Sequence, residues 1–130
     1  MTTVNVGTSA TLERVIQDDA CTERFGFKIF STPNLVLLLE ETAIKALAPF
    51  LGSHQACVGS TIEIAHSAPT LRGQTVTATA TVTAVDRRRI TFEVEARDEV
   101  DAVSKGKHER FIVDNDKLAT RLGEKAKQLG

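Results

Sequence analysis

A strict alternation of threonine with small apolar residues runs through residues 75–84 and is the clearest pattern in the chain. One side carries only threonine, and the apolar side carries Val76, Ala78, Ala80, Val82 and Ala84. A period of two places successive side chains on opposite faces, so this segment predicts a half-buried β-strand. Residues 90–97 alternate in the same way after the charged residues 86–89, which predicts a hairpin.

Three further segments have β character with a less regular pattern. Residues 8–16 and 101–113 alternate imperfectly, whereas residues 55–67 place two isoleucines and His66 on one face. All three are predicted strands, and His66 is expected to share the inward face of its strand with apolar neighbours.

One long helix is predicted from Pro33 to about Phe50, ending near Gly52. Its sequence is apolar on most of its surface. Thr32 offers an N-cap hydroxyl, and Pro33 takes the first helical position, where its missing N–H costs nothing. A shorter amphipathic helix is predicted after the last strand, with Leu118, Leu122 and Ala126 on one side.

The segment from Asp18 to Phe30 shows no sustained period. It holds three phenylalanines around Gly26, and this composition predicts a mobile or capping segment over an apolar region. We expect it to act as a lid.

These elements predict an α+β fold in one domain spanning residues 1–130. A long apolar helix followed by antiparallel strands is best buried when the sheet wraps around it. Such a sheet keeps an exposed edge, and edges of this kind are commonly closed by dimerisation. The pattern therefore predicts a homodimer.

Glu40 is the residue of this helix that most needs an explanation. Its neighbours three and four positions away are Val36, Leu37, Ala43 and Ile44, so its whole stripe is apolar. A carboxylate on a buried stripe costs roughly several kcal/mol unless it is hydrogen-bonded or neutralised. The next residue, Glu41, is expected to form an ordinary exposed ion pair with Lys45.

The charge balance narrows the class of partner. The formal net charge is −1 and the sequence pI is about 6.3, so no basic field exists to attract nucleic acid. No apolar run approaches the roughly 20 residues that span a bilayer, and the first residues do not form a secretion signal. The sequence predicts a soluble cytoplasmic protein with Cys21 and Cys57 as free thiols.

Candidate chemistry lies in three polar residues at inward or helix-end positions: Thr32, Glu40 and His66. A hydroxyl, a carboxylate and an imidazole can together activate a nucleophile or a water for acyl transfer. Each also has a structural interpretation: Thr32 as a helix cap, His66 as a satisfied core histidine, and Glu40 as a buried structural carboxylate. Residue spacing does not show whether the three meet.

Three motifs hold a single register from about Phe30 to Arg110. The first motif is Phe30-Ser31-Thr32, followed eight residues later by Glu40 and then by the helix end Ala46-Leu47-Ala48-Pro49-Phe50-Leu51. The second is Gly59, with His66 seven residues later. The third is Gly106-Lys107-His108-Glu109-Arg110. In these motifs the chain resembles the fluoroacetyl-CoA thioesterase family of hotdog-fold proteins. The resemblance implies a hotdog fold, a homodimer and hydrolysis of an acyl-CoA thioester.

The resemblance also implies roles for five residues. It places Thr32, Glu40 and His66 at the family's triad positions, and Gly59 and Arg110 at its supporting positions. By this analogy the Gly59 N–H holds the thioester carbonyl, while Arg110 positions Glu40 or touches the ligand. The residues alone also allow a simple bulge at Gly59 and a solvated arginine at position 110. The remaining histidine of the last motif, at position 108, is expected to lie outside the chemistry.

Substrate choice follows from one departure from that family. The aromatic gate of fluoroacetyl-CoA hydrolases falls near Gly26, with Phe25 and Phe27 beside it. Because glycine cannot form a gate, we expect a short-chain acyl-CoA hydrolase with little preference for fluoroacetyl over acetyl thioesters, unless one of the phenylalanines takes that role.

Two other functions fit the same polar groups. One is a non-catalytic acyl-CoA binding module, and the other is a hydratase that adds water to an enoyl thioester. The histidines and cysteines lack metal-ligand spacing, and no glycine-rich loop precedes a helix, so neither a metal nor a nucleotide cofactor is expected. Arg87, Arg88 and Arg89 fit a charged hairpin turn, with contact to the phosphates of coenzyme A as the alternative.

Overall fold

The computed structural model describes residues 3–130, in which seven strands and two α-helices follow one another along the chain. In chain order they are β1 (Ser9–Val15), β2 (Cys21–Arg24), β3 (Phe27–Phe30), α1 (Thr32–Leu47), β4 (Gln55–His66), β5 (Thr75–Asp86), β6 (Arg89–Arg97), β7 (Ala102–Asp114) and α2 (Asn115–Gln128). Five strands form an antiparallel sheet in the order β1-β5-β6-β7-β4. The predicted α+β architecture and its strands are confirmed.

The sheet packs against α1 through the alternating faces that the sequence predicts. The inward residues of β5 and β6 are buried: Val76, Ala78, Ala80, Val82, Ile90, Phe92, Val94 and Ala96. The face of α1 that meets them is also buried: Leu35, Leu38, Leu39, Thr42, Ala43, Ala46 and Leu47. Small alanines on the sheet let the helix approach closely, and the apolar surface removed from water stabilises this core.

The start of α1 differs by one residue from the prediction. Ser31 is the N-cap, and its hydroxyl accepts hydrogen bonds from the backbone N–H of Asn34 at 3.4 Å and from the Asn34 side-chain amide at 2.7 Å. Thr32 is therefore the first helical residue, which leaves its hydroxyl free for another partner. At the other end Pro49 lies in a short 3-10 turn, Ala48–Phe50, that continues from the helix.

The opposite stripe of α1 is not buried by the chain itself. Leu37 is 49% exposed and Ile44 is 41% exposed, and the Glu40 side chain between them is 32% exposed. The prediction of a buried Glu40 stripe is wrong for the single chain, because the sheet covers only one side of the helix. The predicted Glu41–Lys45 pair is also absent: Glu41 binds Arg14 at 3.0 Å instead.

Strand β4 forms one edge of the sheet. It pairs along its whole length with β7, and within residues 3–130 no strand pairs with its other side. Gly59 of β4 lies next to Glu40 of α1, so the open edge and the exposed helix stripe border each other. Together they form one continuous unpartnered surface.

Residues 18–30 form regular structure rather than the irregular segment that we expected. A 3-10 turn at Asp18–Ala20 leads into a hairpin of β2 and β3. Phe25 and Gly26 form its tip with φ of 54° and 82°, and glycine is favoured where φ is positive. The base of the hairpin is attached to the domain, because the Phe30 N–H donates to the Thr70 carbonyl at 2.8 Å.

The C-terminal helix α2 is present as predicted, and its Leu122 is exposed, as is Leu129 directly after the helix. Neither α-helix of the described chain has the length and apolar character that a membrane crossing needs. Both cysteines in residues 3–130 are free thiols.

Candidate active site

Thr32 and His66 form a hydrogen-bonded pair where α1 begins and β4 ends. The Thr32 Oγ1 lies 2.7 Å from the His66 Nδ1. The cap formed by Ser31 makes this contact possible, because the Thr32 hydroxyl is not needed by the helix. These two predicted site residues therefore meet, as a hydroxyl and imidazole must for proton transfer.

This pair opens into a cavity of about 420 Å³. The cavity lies between the β2–β3 hairpin, the start of α1 and the segment after β4, and it is lined by Thr22, Arg24, Ile29, Phe30, Ser31, Thr32, Pro33, His66, Ser67, Ala68 and Pro69. Its size and its mixed apolar and polar lining suit a small acyl group.

Burial lowers the pKa of His66 below its usual range, and the backbone of Ala68 opposes this shift. A neutral imidazole at pH 7 can accept a proton from the hydroxyl or from a water. The His66 Nε2 and the Ser104 Oγ are buried without a hydrogen-bond partner in the described part of the chain, and these residues oppose each other on paired strands. Buried polar atoms of this kind are usually satisfied by a ligand or water.

Glu40 belongs to a second, charged cluster. Its Oε1 lies 3.3 Å from the Arg110 Nη1 and 4.0 Å from the His108 Nε2. The Arg110 side chain is only 6% exposed, so the alternative of a solvated strand arginine is wrong. The Arg110 Nε also lies 3.3 Å from the Cys57 Sγ, which fixes the guanidinium against β4.

Gly59 makes room for the Glu40 carboxylate. A Cβ at this position would lie 2.6 Å from the Glu40 Oε1 and 3.2 Å from the Arg110 Nη1. The β4–β7 register also shifts between Gly59 and Thr61. Gly59 therefore lies at a bulge and also permits the close approach of the Glu40 carboxylate, while its contact with a thioester carbonyl stays a prediction.

His108 lies inside the charged cluster, and its place outside the chemistry stays a prediction. Its side chain is 1% exposed, and its Nε2 lies 3.2 Å from the Arg110 Nη1. Sequence reasoning missed this residue although the signal was present. His108 and Arg110 are two positions apart on a strand, and such residues share one face.

The two clusters are separate within one chain. Thr32 and Glu40 are eight residues apart on α1, which is roughly 12 Å along the helix axis. One chain thus brings Thr32 to His66 and, independently, Glu40 to Gly59 and Arg110. Within residues 3–130 no group of three or more His, Cys, Asp or Glu side chains is arranged to hold a metal ion.

Comparison with known proteins identifies the family and the fold. A family model described as Fluoroacetyl-CoA-specific thioesterase matches residues 6–116. The fluoroacetyl-CoA thioesterase of Streptantibioticus cattleyicolor is 35% identical over 98 residues, which cover 75% of this chain and 70% of that protein.

Solved structures show the same architecture. The structure of a fluoroacetyl-CoA thioesterase has a TM-score of 0.87 at 29% identity, over 95% of this chain and 98% of the other. A thioesterase superfamily member from Thermus thermophilus has a TM-score of 0.91 at 23% identity, over 99% and 98%. The fold and these likenesses define a hotdog-fold thioester hydrolase.

The chain belongs to the fluoroacetyl-CoA-specific thioesterase family, because that family model spans most of its length. The resemblance seen in the sequence is confirmed, and membership favours a hydrolase over the binding module and the hydratase.

Proposed function

We propose that this protein hydrolyses short-chain acyl-CoA thioesters in a site that two copies of the chain complete. The observation that carries the proposal is the division of the predicted site residues into two clusters. One cluster holds the proton-transfer pair Thr32 and His66, and the other holds Glu40 with Gly59 and Arg110. Thioester hydrolysis uses both kinds of group, and one chain does not bring them together.

A homodimer supplies the missing contact. In a two-fold antiparallel pairing of identical helices, each position before the axis faces the equivalent position after it. Leu37 is the most exposed apolar residue of the α1 stripe. With Leu37 near the axis, Glu40 of one copy faces the first helical turn of the second copy, where Thr32 lies. The open β4 edge beside the stripe would pair with its own copy.

The chemistry assigns a role to each group. Neutral His66 accepts a proton from a water or from Thr32, and the resulting oxygen nucleophile attacks the thioester carbonyl carbon. The Gly59 backbone N–H stabilises the carbonyl oxygen as it becomes negative, and Arg110 positions Glu40, which forms the acid–base pair with His66. The C–S bond then breaks, and the coenzyme A thiolate takes the proton back from His66. If water is the nucleophile, this step releases the free acid; if Thr32 is the nucleophile, a second water activated by His66 hydrolyses the acyl ester and restores the hydroxyl. A direct attack by the Glu40 carboxylate forms a mixed anhydride, which a water hydrolyses in the same way. Mass spectrometry of quenched single turnovers distinguishes an acyl group on Thr32, one on Glu40, and none.

The acyl-CoA substrate is supported by the relatives. One variant of the similar fluoroacetyl-CoA thioesterase was solved in complex with acetyl-CoA, and another with fluoroacetate and CoA. The cavity beside Thr32 and His66, at about 420 Å³, has room for a short acyl group. The cytoplasmic location predicted from the sequence belongs to the same proposal.

The direct test follows thiol release from a panel of acyl-CoAs. We expect release from acetyl and other short-chain thioesters. A binding module would protect the ligand without turnover, and a hydratase would add water to enoyl thioesters without releasing thiol. Either result would contradict the proposal.

Complementation between two inactive variants tests the shared site. Co-expressed Glu40→Gln and His66→Asn chains form mixed dimers in which one of the two sites is intact. About one quarter of wild-type activity should return when the chains assort at random. Thr32→Val mixed with His66→Asn is the matched control, since both changes fall in one cluster and no mixed dimer restores a site. No recovery in the first mixture, or an active monomer by light scattering, would show that one chain is sufficient.

A further inference from the structure

His108 is a buried titratable group that the mechanism above does not use. Its ring is enclosed between the sheet and α1, with the Phe92 ring stacked at a centroid distance of 6.2 Å. Both ring nitrogens have a partner. The Nδ1 lies 2.7 Å from the Thr61 carbonyl oxygen, and the Nε2 lies 3.2 Å from the Arg110 Nη1.

These two partners assign one protonation state to the ring. A backbone carbonyl oxygen only accepts hydrogen bonds, so the Nδ1 must carry a proton. A guanidinium only donates, so the Nε2 must offer a lone pair. A neutral imidazole with its proton on Nδ1 meets both requirements, and neither the other tautomer nor the imidazolium does.

The lone pair of His108 acts on the site through Arg110. The same guanidinium nitrogen that donates to the His108 Nε2 lies 3.3 Å from the Glu40 Oε1. The Arg110 Nη1 is thus held from one side by a buried acceptor, since the His108 ring is itself bonded to the Thr61 carbonyl of β4. The Glu40 carboxylate, which is partly exposed, is then aligned next to Gly59.

We propose that His108 is a positioning residue of the thioesterase site, where its Nε2 lone pair holds Arg110 and, through Arg110, the Glu40 carboxylate in the working orientation. This inference rests on the proposed function, because Glu40 is the group that the network serves. It goes beyond that function in assigning a required neutral state to a histidine that does not touch the substrate.

Protonation of His108 would reverse this arrangement. The Nε2–H would repel Arg110 and attract the Glu40 Oε1, which lies 4.0 Å away. The groups that act on the ring are Glu40 from α1, Thr61 from β4, Phe92 from β6, and Glu109 and Arg110 from β7.

Burial lowers the pKa of His108 most, and Arg110 lowers it further, whereas the Thr61 carbonyl and the two glutamates oppose the shift. The neutral state therefore persists below the usual histidine pKa of about 6.5 and is lost only in more acidic solution.

Two variants separate positioning from packing. His108→Asn keeps an N–H near the Nδ1 position for the Thr61 carbonyl but loses the acceptor for Arg110. His108→Gln can place its amide oxygen near the Nε2 position and keep that acceptor. We expect kcat to fall about 10-fold or more in the Asn variant with little change in KM, and to be partly restored in the Gln variant. His54→Asn, an exposed site, is the matched control.

The double variant with Glu40→Gln gives a second readout. If His108 acts through Glu40, His108→Asn should lower kcat much less in the Glu40→Gln background than in the wild type. Equal losses in both backgrounds, or losses in the Asn and Gln variants that follow only their thermal stability, would overturn the proposal.

A measurement without turnover separates this inference from the proposed function. Nitrogen NMR of the imidazole groups should show His108 neutral with its proton on Nδ1 at pH 7, and Arg110→Lys should shift the Nε2 resonance. A proton on Nε2, or an ordinary histidine titration, would exclude the network even in an active enzyme. Absence of thiol release with the NMR result intact would overturn the catalytic role and leave the tautomer assignment standing.

Discussion

The two clusters on α1 differ in charge and in surroundings. The Thr32–His66 pair is neutral, lies at the start of the helix and opens into a cavity. The Glu40–Arg110 pair is charged, lies two turns further along and faces the unpartnered stripe. One region can move a proton and the other can hold a charge, so each lacks what the other supplies. Under the proposed function, the assembly of two chains would bring these two kinds of group together.

The largest expected effect is that of Glu40→Gln, which should lower kcat/KM for an acyl-CoA by about 10²-fold or more. Thermal stability should fall slightly, because the buried Arg110 loses its negative partner. The matched control is Glu41→Gln, whose carboxylate binds Arg14 on the other side of the helix. Full activity in Glu40→Gln would reduce the charged cluster to a structural role.

Removal of the Thr32 hydroxyl tests the neutral cluster. Thr32→Val preserves the side-chain shape but leaves the His66 Nδ1 without its 2.7 Å partner. We expect kcat to fall by roughly 10- to 10²-fold, while Thr32→Ser should retain most activity. Steady-state thiol release measures both variants. Equal activity in the Val and Ser variants would mean that the hydroxyl has no part in turnover.

A methyl group at Gly59 should disturb only the charged cluster. The new Cβ would lie 2.6 Å from the Glu40 Oε1, so the carboxylate must move. We expect about 10-fold lower kcat, with the Thr32–His66 pair unchanged. Gly123→Ala in α2 meets nothing within 4 Å and should be silent or slightly stabilising. Wild-type kinetics in Gly59→Ala would show that the position of Glu40 is not critical.

Acid should inactivate the enzyme through the neutral cluster. The pKa of His66 is lowered by burial, and the neutral imidazole is the active form. Activity should therefore be retained as pH falls to about 6.5 and lost as it falls through the lowered pKa. A pH profile of kcat/KM in Glu40→Gln should keep this acid limb. Loss of activity on the alkaline side of pH 6.5 would contradict the assignment of His66 as the base.

The smallest expected effect is the preference between fluoroacetyl-CoA and acetyl-CoA. Phe25 and Phe27 line a neighbouring cavity of about 630 Å³ on the outer side of the hairpin, whereas Thr32 and His66 line the other cavity. With no aromatic gate from either, kcat/KM for the two substrates should differ little. A preference above about 10³-fold for fluoroacetyl-CoA would show that the hairpin rearranges over the bound substrate.

Several features of this protein follow from its sequence alone. Strict alternation defines β5 and β6, because a pleated strand buries every second side chain. The apolar surface and the proline at its start define α1, and Glu40 is identified as a residue that packing alone does not explain. The motifs between Phe30 and Arg110 also identify the family without any knowledge of side-chain contacts.

Other features were decided only by the tertiary structure. Ser31, and not Thr32, is the N-cap of α1. This cap, the burial of Arg110 and the position of His108 in the charged cluster depend on how β4, β7 and α1 meet. The tertiary structure also separates the site residues into two clusters. Thr32 and Glu40 are held apart by the fixed rise of α1, while their partners His66 and Arg110 come from strands distant in sequence. A sequence pattern reports which face a side chain occupies, and long-range packing determines which other groups it meets on that face.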